Sequence, residues 1–273
     1  MLEKITDVQF ATLEALATYR YLTAEQLQRL NISKSIEHTR RVLRELVLLR
    51  GYLGRLVPGV SVGRLPNLHY LTKKGAHVLA ELKGVDLAAV PYVTRARMVQ
   101  HTFFHRLNCI DCEITVRQWA QSNAATVEFY NQYFCFNGNK KGRRSLTKIT
   151  LQQGGFDPDA VFMLSCNGVR RLFALEVQKN LRTAETVQKL LENYKPAVLQ
   201  RAISAQFNYD YDPRILIVFD QDNAFDLVKQ RLLELQFFRD YAPLFFFNTL
   251  DSFNLSFLEN WRKLDTDETC NLF

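Results

Sequence analysis

The stretch 156–179 constrains this chain more than any other. It reads Phe-Asp-Pro-Asp-Ala-Val-Phe-Met-Leu, a short polar break, then Arg-Leu-Phe-Ala-Leu-Glu-Val-Gln-Lys. Two apolar runs of strand character, Ala160–Leu164 and Leu172–Val177, are joined by Ser165, Cys166, Asn167 and Gly168. An Asn-Gly pair between apolar runs is a strong hairpin signal. Folding that hairpin brings the start of the first strand beside the end of the second, so Asp157 and Asp159 land near Glu176, Gln178 and Lys179. Carboxylates gathered at one end of a strand pair, with an amide and an ammonium beside them, can hold a hard divalent cation and a phosphate. A surface hairpin with solvated charges would explain the turn. It explains less readily why Glu176 directly follows the apolar residues Leu172–Leu175, because an acid at the edge of a buried strand is costly unless paired or metal-bound.

The 273 residues have room for one large domain or two modest ones. The longest apolar runs, such as Ile215–Phe219 and Leu244–Phe247, are far too short to cross a bilayer. The first residues lack the basic-then-apolar plan of a signal peptide. Five cysteines, an odd number in a long chain, argue against a disulfide framework. A reduced, cytoplasmic protein is the expectation. The net charge of +7 matters for where it sits: residues 1–100 hold fifteen basic groups against eight acids, which is the whole excess. Such a footprint suits nucleic acid, although charge alone also permits an acidic protein partner.

Thr6 or Asp7 caps a first helix, and Thr23 with Gln26 forms a capping-box pattern for a short second one that ends near Leu30. The turn Ile32–Ser35 leads into a third helix. There Arg40, Arg41 and Arg44 lie within about one turn, while Val42, Leu43, Leu46 and Leu49 form the expected buried stripe. Two strand-like runs follow, around a Gly/Pro-rich loop, and Thr72 caps a fourth helix, Lys73–Leu82, closed by Gly84. Three helices, a two-stranded wing and another helix make a winged helix-turn-helix over residues 1–88. Its third helix suits a major groove, with Arg55 and Arg64 on the wing within reach of phosphates. The same fold also serves protein contacts.

Val85–Tyr92 reads as a linker, and residues 95–273 as a second domain of nuclease-like α/β type. A long helix is expected from Arg95 to Ala120. It carries His101, His105, Cys109 and Cys112 on one face. One helix face cannot wrap four ligands tetrahedrally around an ion, so a packing role is expected for these four. Glu113 on the same helix is a candidate to join the acidic cluster. Thr126–Phe136 reads as a strand, and the following loop holds Lys140, Lys141, Arg143, Arg144 and Lys148, either a solvated run or a grip on the DNA backbone. After the hairpin a helix is expected over Arg182–Tyr194, stopped by Pro196. Then come a buried strand at Pro213–Asp220, a helix at Asp222–Phe238 and a last strand at Leu244–Asn248. The tail from Asp251 gives no pattern.

The order from residue 95 makes a mixed α/β core with a carboxylate hairpin at its centre, the layout of restriction-endonuclease-like nucleases. Their PD-(D/E)xK signature is Pro-Asp, a spacer, then Asp or Glu-x-Lys, matched here by Pro158-Asp159 and Glu176-Val-Gln178-Lys179. Together with Tyr21-Leu-Thr-Ala-Glu-Gln-Leu, Tyr70-Leu-Thr-Lys-Lys-Gly, the His101/His105 stretch, Leu175-Glu-Val-Gln and Thr183 to Tyr194, the chain resembles the replication-relaxation family of plasmid proteins, which includes the mobilisation C-type relaxases.

The resemblance implies a winged helix fused to a nuclease core that binds double-stranded plasmid DNA at an origin of transfer or replication and nicks one strand. Asp159 and Glu176 would be ligands of Mg²⁺ or Mn²⁺, and Asp157, two residues from Asp159, would assist from the same strand face. Other relaxosome proteins and a coupling protein are the implied partners, with no membrane insertion. One departure stands out. Gln178 occupies the signature's Lys position, and Lys179, one place later, would face away from Glu176 in a regular strand. A bulge at Asn180 would re-aim Lys179, and Lys189 on the next helix is available as a substitute. If neither serves, the chain is a non-catalytic origin-binding accessory or replication regulator.

Overall fold

The structure, a computed structural model, describes residues 4–57, 65–94, 102–137, 144–178, 182–220, 222–266 and 268–273. The chain divides into two compact units, Met1–Ile110 and Asp111–Phe273.

In the first unit, helices α1 (Asp7–Tyr19), α2 (Ala24–Arg29) and α3 (Ile36–Leu48) precede strands β1 (Leu53–Leu56) and β2 (Leu68–Leu71) and helix α4 (Lys73–Lys83). That is the element order expected from the sequence. Each helix starts where a hydroxyl takes a free amide: Thr6 and Thr23 form capping boxes with Gln9 and Gln26, while Ser35 and Thr72 accept from the amides of His38 and Gly75. Gly84, at φ 64°, closes α4 as the left-handed cap that glycine tolerates. Strands β1 and β2 are antiparallel, and Leu22 extends the pair by exchanging backbone hydrogen bonds with His69 at 2.9 and 3.1 Å. On α3, Val42, Leu43 and Leu46 are buried, but Leu49 is 81% exposed. The expected stripe stops a turn early because the helix ends at Leu48 and position 49 lies past its last turn. The stretch read as a linker holds a 3₁₀ turn, Leu87–Ala89, and packs back on this unit. Val90 is buried, and the Val93 amide donates to the Leu71 carbonyl at 3.1 Å.

The division falls within helix α5 (Phe103–Ser122). Beyond it, β3 (Thr126–Gln132), the two-residue strands β4 (Phe136–Asn137), β5 (Arg144–Ser145), β6 (Ile149–Thr150) and β7 (Gly155–Phe156), and the hairpin β8 (Ala160–Cys166) and β9 (Val169–Gln178) follow in order. Next come α6 (Thr183–Leu199), α7 (Ala202–Gln206), β10 (Arg214–Phe219), α8 (Asp222–Leu233), α9 (Gln236–Asp240), β11 (Phe245–Thr249), α10 (Leu250–Leu255), β12 (Trp261–Lys263) and β13 (Thr269–Cys270). Seven strands form one mixed sheet in the order β13-β12-β11-β10-β9-β8-β3. Strands β9, β10 and β11 are parallel, and the flanking pairs are antiparallel.

Alternation sends successive side chains to opposite faces. Met163, Ala174, Ile217 and Phe247 join Leu190 and Tyr194 of α6 and Val228 and Leu232 of α8 in one core. On the other face Phe162 stacks on Phe173 and on Tyr130, while Trp119 of α5 packs on Phe257 and Phe273. Helix, sheet and helix layers thus bury both faces, as a sheet with a parallel centre requires.

Four expectations need correcting. The strand from Thr126 ends at Gln132, because Tyr133 turns to donate its amide to the Asp159 carbonyl and Cys135 donates back to Gln132. Helix α6 runs through Pro196 to Leu199. Proline there removes one late amide bond, to the exposed Glu192, whose carbonyl water can satisfy. The helix expected over Asp222–Phe238 is two helices, split at Leu235, whose backbone is extended. The strand near Leu244 is not the last: the tail supplies α10, β12 and β13, anchored by the fully buried Trp261, whose indole donates to the Phe257 carbonyl at 2.7 Å.

Candidate active site and metal centre

The hairpin turn is Asn167–Gly168, at φ 50° and 76°, joining the partners Cys166 and Val169. Positive φ at both central residues matches the right-handed twist of the strands. At the far end Ala160 sits opposite Leu175, and the Val177 amide donates to Asp159 Oδ2 at 2.8 Å. That bond fastens the residue just before β8 to the end of β9 and fixes one carboxylate. Asp159 and Glu176 are both buried, Glu176 to 1% exposure.

Glu176 projects to the face covered by α6, which meets both of its oxygens. Lys189 Nζ lies 3.2 Å from Oε2, and the Tyr194 hydroxyl donates to Oε1 at 2.9 Å. Burial pushes the Glu176 carboxyl up to about 7. The Lys189 ammonium opposes that rise, the charge of Asp159 adds to it, and the Tyr194 hydrogen bond opposes it. Burial, then the charge of Glu176, holds the Tyr194 phenol well above its ordinary value. Lys189 keeps 53% of its side chain exposed.

The other predicted residues fall in different places. Asp157 is exposed and pairs with Lys148 at 3.7 Å. Asp157 and Asp159 both precede β8, so strand alternation does not place them on a shared face, and Asp157 turns outward. Glu113 is buried but does not join Glu176. It accepts from Arg117 at 2.8 Å and from Gln132 at 2.5 Å. Gln132, Ala160 and Leu175 are laterally aligned, so they share one face, and Glu176, the next residue, points to the other. Lys179, Lys140, Lys141, Arg143, Arg64 and His101 lie outside the described residues. Arg144 is exposed on β5, and Arg55 is exposed on β1 opposite His69. On α3 Arg40, Arg41 and Arg44 are all exposed, with Arg40 paired to Glu25 at 2.9 Å. Cys109 and Cys112 are fully buried, and Cys109 Sγ lies 3.8 Å from His105 Nε2.

At the signature's Lys position, Gln178 follows Glu176 by two residues on the same strand face, and its buried Nε2 has no hydrogen-bond partner among the described residues. Turning that amide over presents Oε1, a hard oxygen donor, in the same place. Two buried carboxylates and an amide oxygen are hard oxygen donors, the ligand type that Mg²⁺ and Mn²⁺ take. A family model for replication-relaxation proteins matches residues 13–206, most of the chain and the whole of the hairpin. The chain belongs to the replication-relaxation family. Membership ties it to plasmid replication or mobilisation. Searches of curated proteins and of solved structures returned no match. Among the described residues no helix is long and apolar enough to cross a membrane.

Within this replication-relaxation chain, sequence reasoning named Glu176 and Lys189 but gave Tyr194 no role beside the acid. A signal existed. Thr186, Leu190 and Tyr194 are spaced four apart on the buried face of α6, and a buried phenol needs a polar partner.

Proposed function

We propose that this protein is a metal-dependent strand-nicking endonuclease acting on double-stranded plasmid origin DNA. The observation that carries the reading is Glu176, fully buried yet gripped by Lys189 and Tyr194 beside a second buried acid, Asp159. Asp159 and Glu176, with Gln178 through its amide oxygen, would hold Mg²⁺ or Mn²⁺. What such a cation would supply there is Lewis-acid polarisation of the scissile phosphate and a lowered pKa for water. The Val177 amide holds Asp159 in place, and the Tyr194 hydroxyl fixes the rotamer of Glu176. Lys189 supplies the ammonium that the signature expects two residues after the acid, on a side chain that is 53% exposed, to stabilise developing phosphate charge. Tyr194, fully buried with its proton held, positions the acid and does not attack. Arg40, Arg41 and Arg44 on α3 would contact origin DNA, with Arg55, Arg64 and the basic loop holding Lys140, Lys141, Arg143 and Arg144 on the backbone.

Gln178 at the signature's Lys position favours one alternative, an origin-binding accessory that holds DNA without cutting it. One experiment separates the two. Supercoiled origin plasmid is incubated with wild type or Glu176→Gln, with Mg²⁺, Mn²⁺ or EDTA, and open circle is quantified. Nicking that requires both metal and Glu176 supports the endonuclease. Equal open circle from the two proteins, with binding intact, leaves the accessory reading.

A further inference from the structure

The sheet register sets Glu176, Ile217, Phe247, Arg262 and Thr269 in one lateral row across β9, β10, β11, β12 and β13, all on one face. Three of them, Phe247, Arg262 and Thr269, line a cavity of about 420 Å³ together with Phe225 and Asp226 of α8, Asn248 and Ser252. It lies beside the carboxyl end of β11, outside a parallel strand, where open α/β sheets place ligands. Its volume lies in the range of small-molecule sites.

The chemistry of the walls is selective. Buried Phe225 and Phe247 meet at 5.6 Å, and the Arg262 guanidinium lies over the Phe225 ring at 5.0 Å. Both rings are walled in, Phe247 to 0% and Phe225 to 4% exposure, so the planar surface open to a ligand is the half-exposed Arg262 guanidinium, a plane of the kind on which unstacked bases are held. Asp226 lies 3.6 Å from Arg262 and offsets its charge, so the cavity does not favour a phosphate. The Ser252 and Thr269 hydroxyls each offer a donor and an acceptor, as the edge of a base requires. At about 4.8 Å per strand, Arg262 is about 14 Å from Glu176 along the row. That span matches about four stacked nucleotides at about 3.4 Å each, and fewer if the strand is extended.

We propose that this cavity binds one unstacked base of the DNA strand whose scissile phosphate lies at Glu176, and so helps choose where the strand is cut. The inference rests on the nuclease reading for the placement of that phosphate. Its test does not depend on cleavage. Single-stranded origin oligonucleotides carrying 5-iododeoxyuridine at successive positions are crosslinked to the full chain in EDTA, and the attached peptides are mapped by mass spectrometry. The expected result is a crosslink from a narrow set of positions to the peptide containing Phe225 or Phe247. Filling the cavity from its rim with Thr269→Trp, or from α10 with Ser252→Phe should the first variant fail to fold, is expected to lower oligonucleotide affinity at least about tenfold, the loss of one stacked base. Crosslinks confined to other peptides, or unchanged affinity in a folded variant, overturn the proposal. So does a deoxynucleoside monophosphate that competes as well as the oligonucleotide, because it marks a free-nucleotide site. If the crosslink forms but wild type never nicks plasmid, the nuclease reading fails while base binding at the cavity stands.

Discussion

Replacing Glu176 by Gln should change the pH dependence of stability with a known sign and size. Burial raises this carboxyl from 4.5 to about 7 in the folded chain. Below pH 4.5 the acid is protonated in both folded and unfolded chains and costs nothing. As pH rises from there, the unfolded chain ionises first and the fold must hold a proton that the unfolded chain has released. Stability is therefore lost between about 4.5 and about 7 and stays level above. At about 1.4 kcal/mol per pH unit the loss is about 3 kcal/mol. His69 pulls the other way. Burial, reinforced by the charge of Arg55, holds its imidazole down at about 4 from 6.5, so its contribution is present above 6.5 and is lost as pH falls towards 4. The two effects have similar size and opposite sign, so a profile of wild type alone can look flat. The informative quantity is the difference between wild type and Glu176→Gln, measured by urea unfolding at intervals from pH 4 to 8. His69 is common to both proteins and cancels. Relative to the variant, wild type should weaken by about 3 kcal/mol between pH 4.5 and 7. Parallel curves, or a difference that favours wild type as pH rises, would refute the claim that burial governs Glu176.

Three further outcomes follow from the same geometry. Metal-dependent nicking should rise with pH through a limb near 7, where Glu176 ionises. In Lys189→Met that limb should move to higher pH, since the ammonium is the largest influence holding the carboxyl down, and the rate of open-circle formation across buffers reads it directly. Removing Arg40, Arg41 and Arg44 together should weaken origin-DNA binding and make the log–log salt slope shallower by about 3, one phosphate each, as fluorescence anisotropy would show. Gly75→Ala should destabilise the first unit by about 2 kcal/mol on thermal unfolding, although helix propensity alone favours Ala by about 1 kcal/mol. A Cβ there would lie 2.2 Å from the Tyr52 carbonyl oxygen, which already accepts from the Thr72 amide and hydroxyl, and a more stable variant would contradict that close approach.

The hairpin was legible because its signals are local. Asn167–Gly168 announces the turn, continuous apolar runs announce the strands, and an acid at the end of such a run announces a buried carboxylate. The helix starts were legible for the same reason, each capping hydroxyl standing at a fixed offset from the amide it accepts. Glu113 was misplaced because its side of the sheet depends on the alignment of Gln132, Ala160 and Leu175 across three strands. Asp157 was misplaced because alternation was extended past the first residue of β8. The tail was opaque for a different reason. Strands β12 and β13 are three and two residues long, too short for any periodicity, and their place is set by the burial of Trp261 and the register with β11.

The departure of Gln178 from the nuclease signature looks different once α6 is in place. A motif written along one strand assumes that acid and ammonium must share it. The chemistry requires only that the ammonium reach the acid from a direction open to substrate. Lys189 and Tyr194 are five residues apart, about 7.5 Å along the helix axis, and each takes one oxygen of Glu176. Their burial differs completely. Tyr194 is fully buried and its bond is as fixed as the core around it, whereas half of the Lys189 side chain is exposed. A strand-borne lysine at position 178 would have pointed into the same covered face as Glu176, beneath α6. Carried on α6, the ammonium meets Glu176 from a half-exposed side chain, which is the placement the proposed nuclease chemistry would need of it.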